Sequence, residues 1–489
     1  MKLLISILTL LFFAKSFGQL NFDKSKISYQ TEKIVVRIEK INELMGSAVG
    51  YAGVRPEQYD YFIQLQNKAT KDELVELTNH PNGVVRCYSI WALSHDTTYN
   101  LFPIVRRHIR DDKLINTQFG CIGSREKVGD FFISLVTPEY VDLDSRKLNN
   151  VEFEQLDSLL IYTPNTLYAR TEAINRARLT EQLYSRIREI IVKEKKLSAL
   201  PVLAKFQKEQ DIELILGSRE NEKDPESGYF YTYQAIINFP RPEFVPLLER
   251  NLKNTLDETH FDREWRYLYA AIAAYKDDKA VELLKIPFTK VQHQDIKEYH
   301  LDFVYSAVLE YNDKHYNDIL WKLWEEGQNI TVRGYKYYLA SDPSRTYSFT
   351  IKELTGKVSK ELKLVPVYDD SIFTEDLEET MLNLVLRNDK ELACQIIEQQ
   401  IQNSEVLSFP IYSSLAVKLK DQRFIKPLFT RLEKEWNAHV YLRIVEALIL
   451  YNDETINKQI LSTRKINPNL NNDWGSKNLD EILKKNNIK

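Results

Sequence analysis

Residues 301–327 read LDFVYSAVLEYNDKHYNDILWKLWEEG. Leu301, Val304, Tyr305 and Val308 recur at i, i+3, i+4 and i+7, the spacing that lines up apolar side chains on one face of an α-helix. Asn312-Asp313 interrupts the pattern, and Ile319, Leu320 and Leu323 then belong to a second helix that stops at Gly327. The stretch is therefore a helical hairpin. Shifted against itself by 36 residues, the surrounding chain repeats it: Tyr229, Trp265 and Leu301 superpose, as do Tyr233, Tyr269 and Tyr305. So do Ile236, Ile272 and Val308, Phe239, Tyr275 and Tyr311, Leu247, Leu283 and Ile319, and Leu248, Leu284 and Leu320. A single hairpin leaves one apolar face bare, so the recurrence implies units that stack and share a core.

Further along, the period becomes 32 residues, with Asp389, Asp421 and Asp453 at the turns. Val385, Val417 and Ile449 align before each Asp; Leu392, Phe424 and Ile456, then Ile396, Leu428 and Ile460, align after it. An Asp at such a turn accepts hydrogen bonds from the unpaired N–H groups of the next helix, a cap that contributes about 1 kcal/mol. The change of period divides the chain into a middle array over 167–340 and a C-terminal array over 371–489. Pro343, Gly356 and Pro366 mark 341–370 as an irregular connection.

Near the other end, residues 80–93 read HPNGVVRCYSIWAL. Val85-Arg86 and Ala92-Leu93 fit the second helix of a HEAT repeat, with Ser89 where a small Ala is usual, and the stretch resembles that family. Residues 101–109 follow as the next helix, and 351–356 resemble a helix ending of bacterial HEAT-like proteins. The resemblance implies an all-α solenoid of antiparallel helix pairs and an extended face suited to protein partners. The Trp, Gly-Tyr and Pro signature of tetratricopeptide repeats is absent at their period. Residues 19–137 are read as an N-terminal HEAT-like region. Residues 138–166 are read as a linker with one helix over 151–162. A single long charged helix is expected over 167–196, and 113–123, with Gly120 and Gly123 around Cys121, as a loop or short strand.

Composition agrees with helices. Among 489 residues there are only 14 Gly and 16 Pro, and 43% are hydrophobic. Met1-Lys2, an apolar run over 3–14, and Lys15-Ser-Phe-Gly18 have the form of a signal peptide over 1–18. The run is shorter than the roughly 20 residues that cross a bilayer. No cysteine lies near the cleavage site, so the expected product is exported, periplasmic or extracellular, soluble and without a lipid anchor. The formal charge of −4 gives no general reason to bind nucleic acid. Three cysteines, Cys87, Cys121 and Cys394, are too few for a disulfide framework; whether Cys87 and Cys121 pair stays open.

No catalytic constellation emerges. Asp142-Leu-Asp144 opens like a calcium loop, but Arg146, Lys147 and Phe153 stand where ligands or Gly belong, so a polar linker is the preferred reading. His293 and His300, seven apart, lack a metal-binding spacing, and neither a metal nor a cofactor is expected. Cys121 is the one nucleophile in a glycine setting. Arg170, Arg176, Arg178, Arg186 and Arg188 interleave with Glu172, Glu181, Glu189 and Glu194, the pattern of a solvated face laced with ion pairs. The aromatic-rich segment 261–349 places Trp324, Tyr335, Tyr337 and Tyr338 off the repeat face, where they are candidates for a partner surface, with packing against a neighbouring repeat as the competing account. The functional expectation is an exported, non-enzymatic scaffold that binds a macromolecule, a protein first and a carbohydrate second. The alternatives are a secreted enzyme with its site in 113–144, or an immunity or inhibitor protein.

Overall fold

Apolar periodicity and turn caps become helices over most of the chain in a computed structural model that describes residues 21–137, 142, 144–219, 228–326, 330–356 and 376–488. The leader read over 1–18 lies outside the described residues, as do 357–370 of the expected irregular connection. The residues group into two units, one ending at His293 and the other beginning at Gln294. That boundary falls inside the stretch read from sequence as one middle array.

In the first unit, most of the stretch 80–93 forms the helix Gly83–Ser94. Asn82 caps it, accepting the N–H groups of Val84 and Val85, and all twelve residues are buried. Its surroundings explain why. The helices Tyr29–Ile41, Glu57–Lys68, Lys71–Leu77 and Val128–Val136 all pack on it. Phe62, Tyr88 and Trp91 stack in the centre, with ring centroids 4.7–6.1 Å apart. Three strands lie alongside: β1, Glu43–Val49, pairs in parallel with β2, Leu114–Gly120, which pairs antiparallel with β3, Ile122–Lys127. Tyr88 Oη joins β1 to the central helix, accepting from Met45 N at 2.8 Å and donating to Met45 O at 3.0 Å.

The hairpin β2–β3 realises the strand option for 113–123. Gly120 carries the turn at φ +58°, a conformation that favours glycine. β1 was not anticipated. Cys121 is exposed at the hairpin turn while Cys87 is buried in the central helix, and the two are unpaired.

The expected long helix over 167–196 is two helices, Ala169–Arg176 and Glu181–Val192. Ala177 turns extended, and Thr180 caps the second helix by accepting Leu183 N–H at 3.1 Å. Nor is its charged face simply solvated. Arg170 is 1% exposed and grips Glu194 with both terminal nitrogens, at 2.6 and 3.2 Å, and Arg186 reaches the same carboxylate at 2.7 Å. Next along the chain, Phe230–Asn238 packs on Trp265–Ala273, which contacts both Val245–Thr255 and Asp278–Lys285.

In the second unit Gln294–Tyr311 pairs with Asn317–Glu325, and Val332–Ser341 with Pro343–Thr355. Pro343–Thr355 corrects the expected irregular connection: Pro343 takes the first helical position, where its missing N–H costs nothing, and Asp342 caps. Beyond residue 376 the helices pack on neighbours one or two places along the chain. Lys390–Asn403 meets both Phe409–Leu419 and Ile425–Leu432, and Ala438–Ile449 contacts each of those last two. The three turn aspartates cap as read: Asp389 accepts from Leu392 N at 2.9 Å, Asp421 from Arg423 N at 3.0 Å and Asp453 from Thr455 N at 2.6 Å. Side chains also tie successive hairpins together. Tyr451 Oη donates to Asp421 O at 2.9 Å, and Asn467 Nδ2 donates to Leu432 O and Glu435 O, both at 2.8 Å.

Candidate binding site

Of the four aromatic residues expected at a partner surface, Trp324, Tyr335 and Tyr338 pack inward. Trp324 is 2% exposed, Tyr335 and Tyr338 are fully buried, and Tyr337 is half-buried. Trp324 leaves the face of its own hairpin because the next pair, Val332–Ser341 and Pro343–Thr355, covers it, and the three tyrosines belong to the first helix of that pair. Trp324 lies 4.8 Å from Tyr338 and 5.0 Å from Phe349, centroid to centroid. Tyr338 Oη donates to Leu320 O at 2.7 Å, Tyr335 Oη meets Thr350 Oγ1 at 2.8 Å, and Tyr337 Oη bonds Asn317. The competing account, packing against neighbouring helices, holds for Trp324, Tyr335 and Tyr338.

Other candidates are likewise engaged or apart. Asp142, first residue of the calcium-like loop, accepts from Trp91 Nε1 at 2.7 Å, lies 2.6 Å from His95 Nε2, and accepts Asp144 N–H at 2.9 Å. Its oxygens serve the protein itself. His293 is exposed in a loop, 3.8 Å from Asp257, whereas His300 is buried in Gln294–Tyr311. Among the described residues no three His, Cys, Asp or Glu side chains gather to hold a metal.

Two exposed aromatic groups in a concave setting lie elsewhere, at Trp436 and Trp474. Trp436 follows a buried ion pair, Arg431 Nε to Glu435 Oε2 at 2.9 Å. Glu435 Oε1 accepts the N–H groups of Trp436 at 3.1 Å and Asn437 at 2.9 Å. Arg431 in turn donates to Ile401 O at 2.9 Å and spreads over the Phe409 ring at 4.5 Å. The backbone at 435–437 is thus pinned from beneath while the Trp436 indole stays 73% exposed. Asn437 then caps Ala438–Ile449 by accepting His439 N–H at 3.0 Å.

Trp474 stands in the first turn of Asp473–Lys485, 47% exposed, its ring 5.0 Å from that of His439. The next residue, Gly475, permits this. A Cβ there would come within 2.7 Å of the Ala438 methyl and would also strike Tyr441 Oη, so only glycine lets the two helices meet this closely.

Two adjoining hollows result, sharing His439 and Trp474. One, about 390 Å³, is bordered by Trp436, Asn437, Tyr441, Asn469 and Asn472. The other, about 500 Å³, is bordered by Arg443, Glu446, Asn478, Glu481 and Lys485. These charged groups make no ion pairs among the described residues, so their hydrogen-bonding capacity faces outward. Two indole faces beside amide, carboxylate and guanidinium groups can stack and hydrogen-bond with a partner. Sequence reasoning passed over both tryptophans because neither falls on the positions aligned by the 32-residue period. The signal was present: each is a large aromatic in a polar turn, KEWN at 434–437 and NDWG at 472–475.

The class these observations define is a mostly helical protein with a small three-stranded sheet in its first unit and a tryptophan-flanked cleft in its second. Among the described residues no helix is long and apolar enough to cross a membrane. Comparison with protein families, with curated proteins and with solved structures returns no match.

Proposed function

We propose that the chain is an exported, HEAT-like α-solenoid without catalytic activity that binds another protein through the cleft between Trp436 and Trp474. The 36- and 32-residue periods and the neighbour-to-neighbour packing within each unit support the repeat reading; the signal-peptide pattern supports export. The observation that carries the binding reading is the Trp436 indole, held out from a backbone anchored by buried Arg431 and Glu435. An exposed large aromatic costs solvation, and rigid presentation lowers the entropy lost on docking, which is how interface anchors work.

The test is capture of partners from envelope extracts by the mature chain, wild type against Trp436→Ala, Trp474→Ala and the double variant. A protein partner retained by wild type and lost by the double variant, at unchanged thermal stability, is the expected result. Equal capture by both refutes the cleft as the binding surface. Release of the captured material by free oligosaccharide would move the assignment to carbohydrate.

A further inference from the structure

A second recessed site lies in the first unit, far in sequence from the tryptophan cleft. Between the end of Glu181–Val192 and the loop before Ala169–Arg176 is a hollow of about 400 Å³, bordered by Arg110, Asp112, Thr166, Arg170, Glu194 and Lys196. Lys196 is placed there by the end of the helix: Lys195 adopts φ +56°, and Lys196 N–H returns to Ile190 O at 3.2 Å. The Lys196 side chain is half-buried, yet among the described residues it makes no ion pair.

The nearby acids are committed to other groups. Glu194 is shared by Arg170 and Arg186. Asp130 accepts the N–H groups of Tyr168 at 3.1 Å and Ala169 at 2.9 Å. Asp112 accepts from Thr166 Oγ1 at 3.3 Å. Meanwhile Lys127 donates to Thr166 O on the rim, adding another cation. Burial, then the charges of Lys127 and Arg170, push the Lys196 ammonium below its usual range and outweigh the opposing pull of Asp130 and Glu194. A half-buried cation among cations, with its natural counter-charges already bonded, lacks a partner that a small anion would supply.

We propose that this hollow binds an oxyanion, the carboxylate or phosphate group of a small ligand, with Lys196 as its principal contact. Arg110 and Arg170 then supply surrounding positive charge, and Glu194 keeps Arg170 in place.

The experiment is lysine acylation of the folded mature chain, read residue by residue by mass spectrometry. It is run in inorganic phosphate, in acetate, and in chloride at matched ionic strength, so that general screening is equal in all three. With phosphate or acetate at about 10 mM, acylation of Lys196 is expected to slow by about threefold or more while the exposed Lys193 and Lys485 are unaffected. Phosphate alone protecting assigns a phosphate site, and acetate alone a carboxylate site; both support the proposal. Equal Lys196 rates in all three salts overturn it. As a second reading, the anion that protects should raise the melting temperature of wild type and of Trp436→Ala/Trp474→Ala, but not of Lys196→Met. An equal rise in Lys196→Met also overturns the assignment. Should Lys196→Met fail to fold, the acylation rates of wild type decide alone.

Discussion

Replacing Gly334 by Ala tests whether the second unit is packed as described. Glycine inside an exposed helix is ordinarily worse than alanine by about 1 kcal/mol, so the change would stabilise a solvent-facing helix. Here the opposite is expected. Gly334 is buried in Val332–Ser341, and a Cβ on it would lie 3.0 Å from Tyr305 Cζ and strike the phenol oxygen. That oxygen is held by Thr331, with Oγ1 at 3.2 Å and the backbone N–H at 3.1 Å. Thr331 Oγ1 in turn caps the helix by accepting Gly334 N–H at 3.1 Å. Pushing the ring aside breaks contacts that contribute about 1 kcal/mol each and adds overpacking of about 1–3 kcal/mol. After the gain in helix propensity, the net loss is about 2–4 kcal/mol. Urea unfolding followed by circular dichroism should show a lower midpoint at unchanged slope. In the background of Tyr305→Phe, which removes the oxygen, the penalty of Gly334→Ala should shrink by about half. A Gly334→Ala protein as stable as wild type, or more so, would refute this packing.

The other predictions concern the core and two titrating groups. Trp324→Ala, taken from expected surface to observed interior, should cost about 3–5 kcal/mol in the same unfolding assay, where an exposed tryptophan would cost almost nothing. Burial, then repulsion by Asp130, lifts the Glu126 carboxyl to about 7. The folded chain then keeps a proton that the unfolded chain releases near pH 4.5, so stability falls as pH rises through that window. Glu126→Gln should remove that slope and, after allowance for its partial exposure, gain roughly 1–3 kcal/mol at pH 8. Glu73 is the reverse case: burial acts to raise its carboxyl, but hydrogen bonds from Ser28 N at 2.6 Å and Thr70 N at 2.7 Å outweigh it and hold it at about 2. Its contribution is complete above about pH 4.5 and disappears as pH falls toward 2, so Glu73→Gln should flatten acid unfolding and cost about 1–3 kcal/mol at neutral pH.

Helix positions and their caps were legible without coordinates because both arise within a few residues of chain. Tyr229, Tyr233, Ile236 and Phe239 fall on one face through the turn of the helix itself, and all four are buried. Asp389, Asp421 and Asp453 reach N–H groups only two or three residues ahead. Where the answer required distant residues, local pattern was silent or pointed elsewhere. β1 exists because Glu43–Val49 meets Leu114–Gly120, some seventy residues on, and its own seven residues carry little alternation. The break between Ala169–Arg176 and Glu181–Val192 brings Arg170 back to Glu194 and Arg186, an ion-pair cluster that one straight helix would have spread along its length.

The exchange of roles among the tryptophans follows from the same distinction. An off-face position such as Trp324 is exposed only when nothing covers it, and the hairpin that covers it comes later in the chain. Trp436 stays exposed because Arg431 and Glu435 fix its backbone from below, a contact set decided by helices on either side. Periodicity reveals which side of a helix is apolar, since that depends on 3.6 residues per turn. Which apolar side meets a neighbour, and which aromatic is left facing water, depends on how separate helices come together, and only the folded chain decides it.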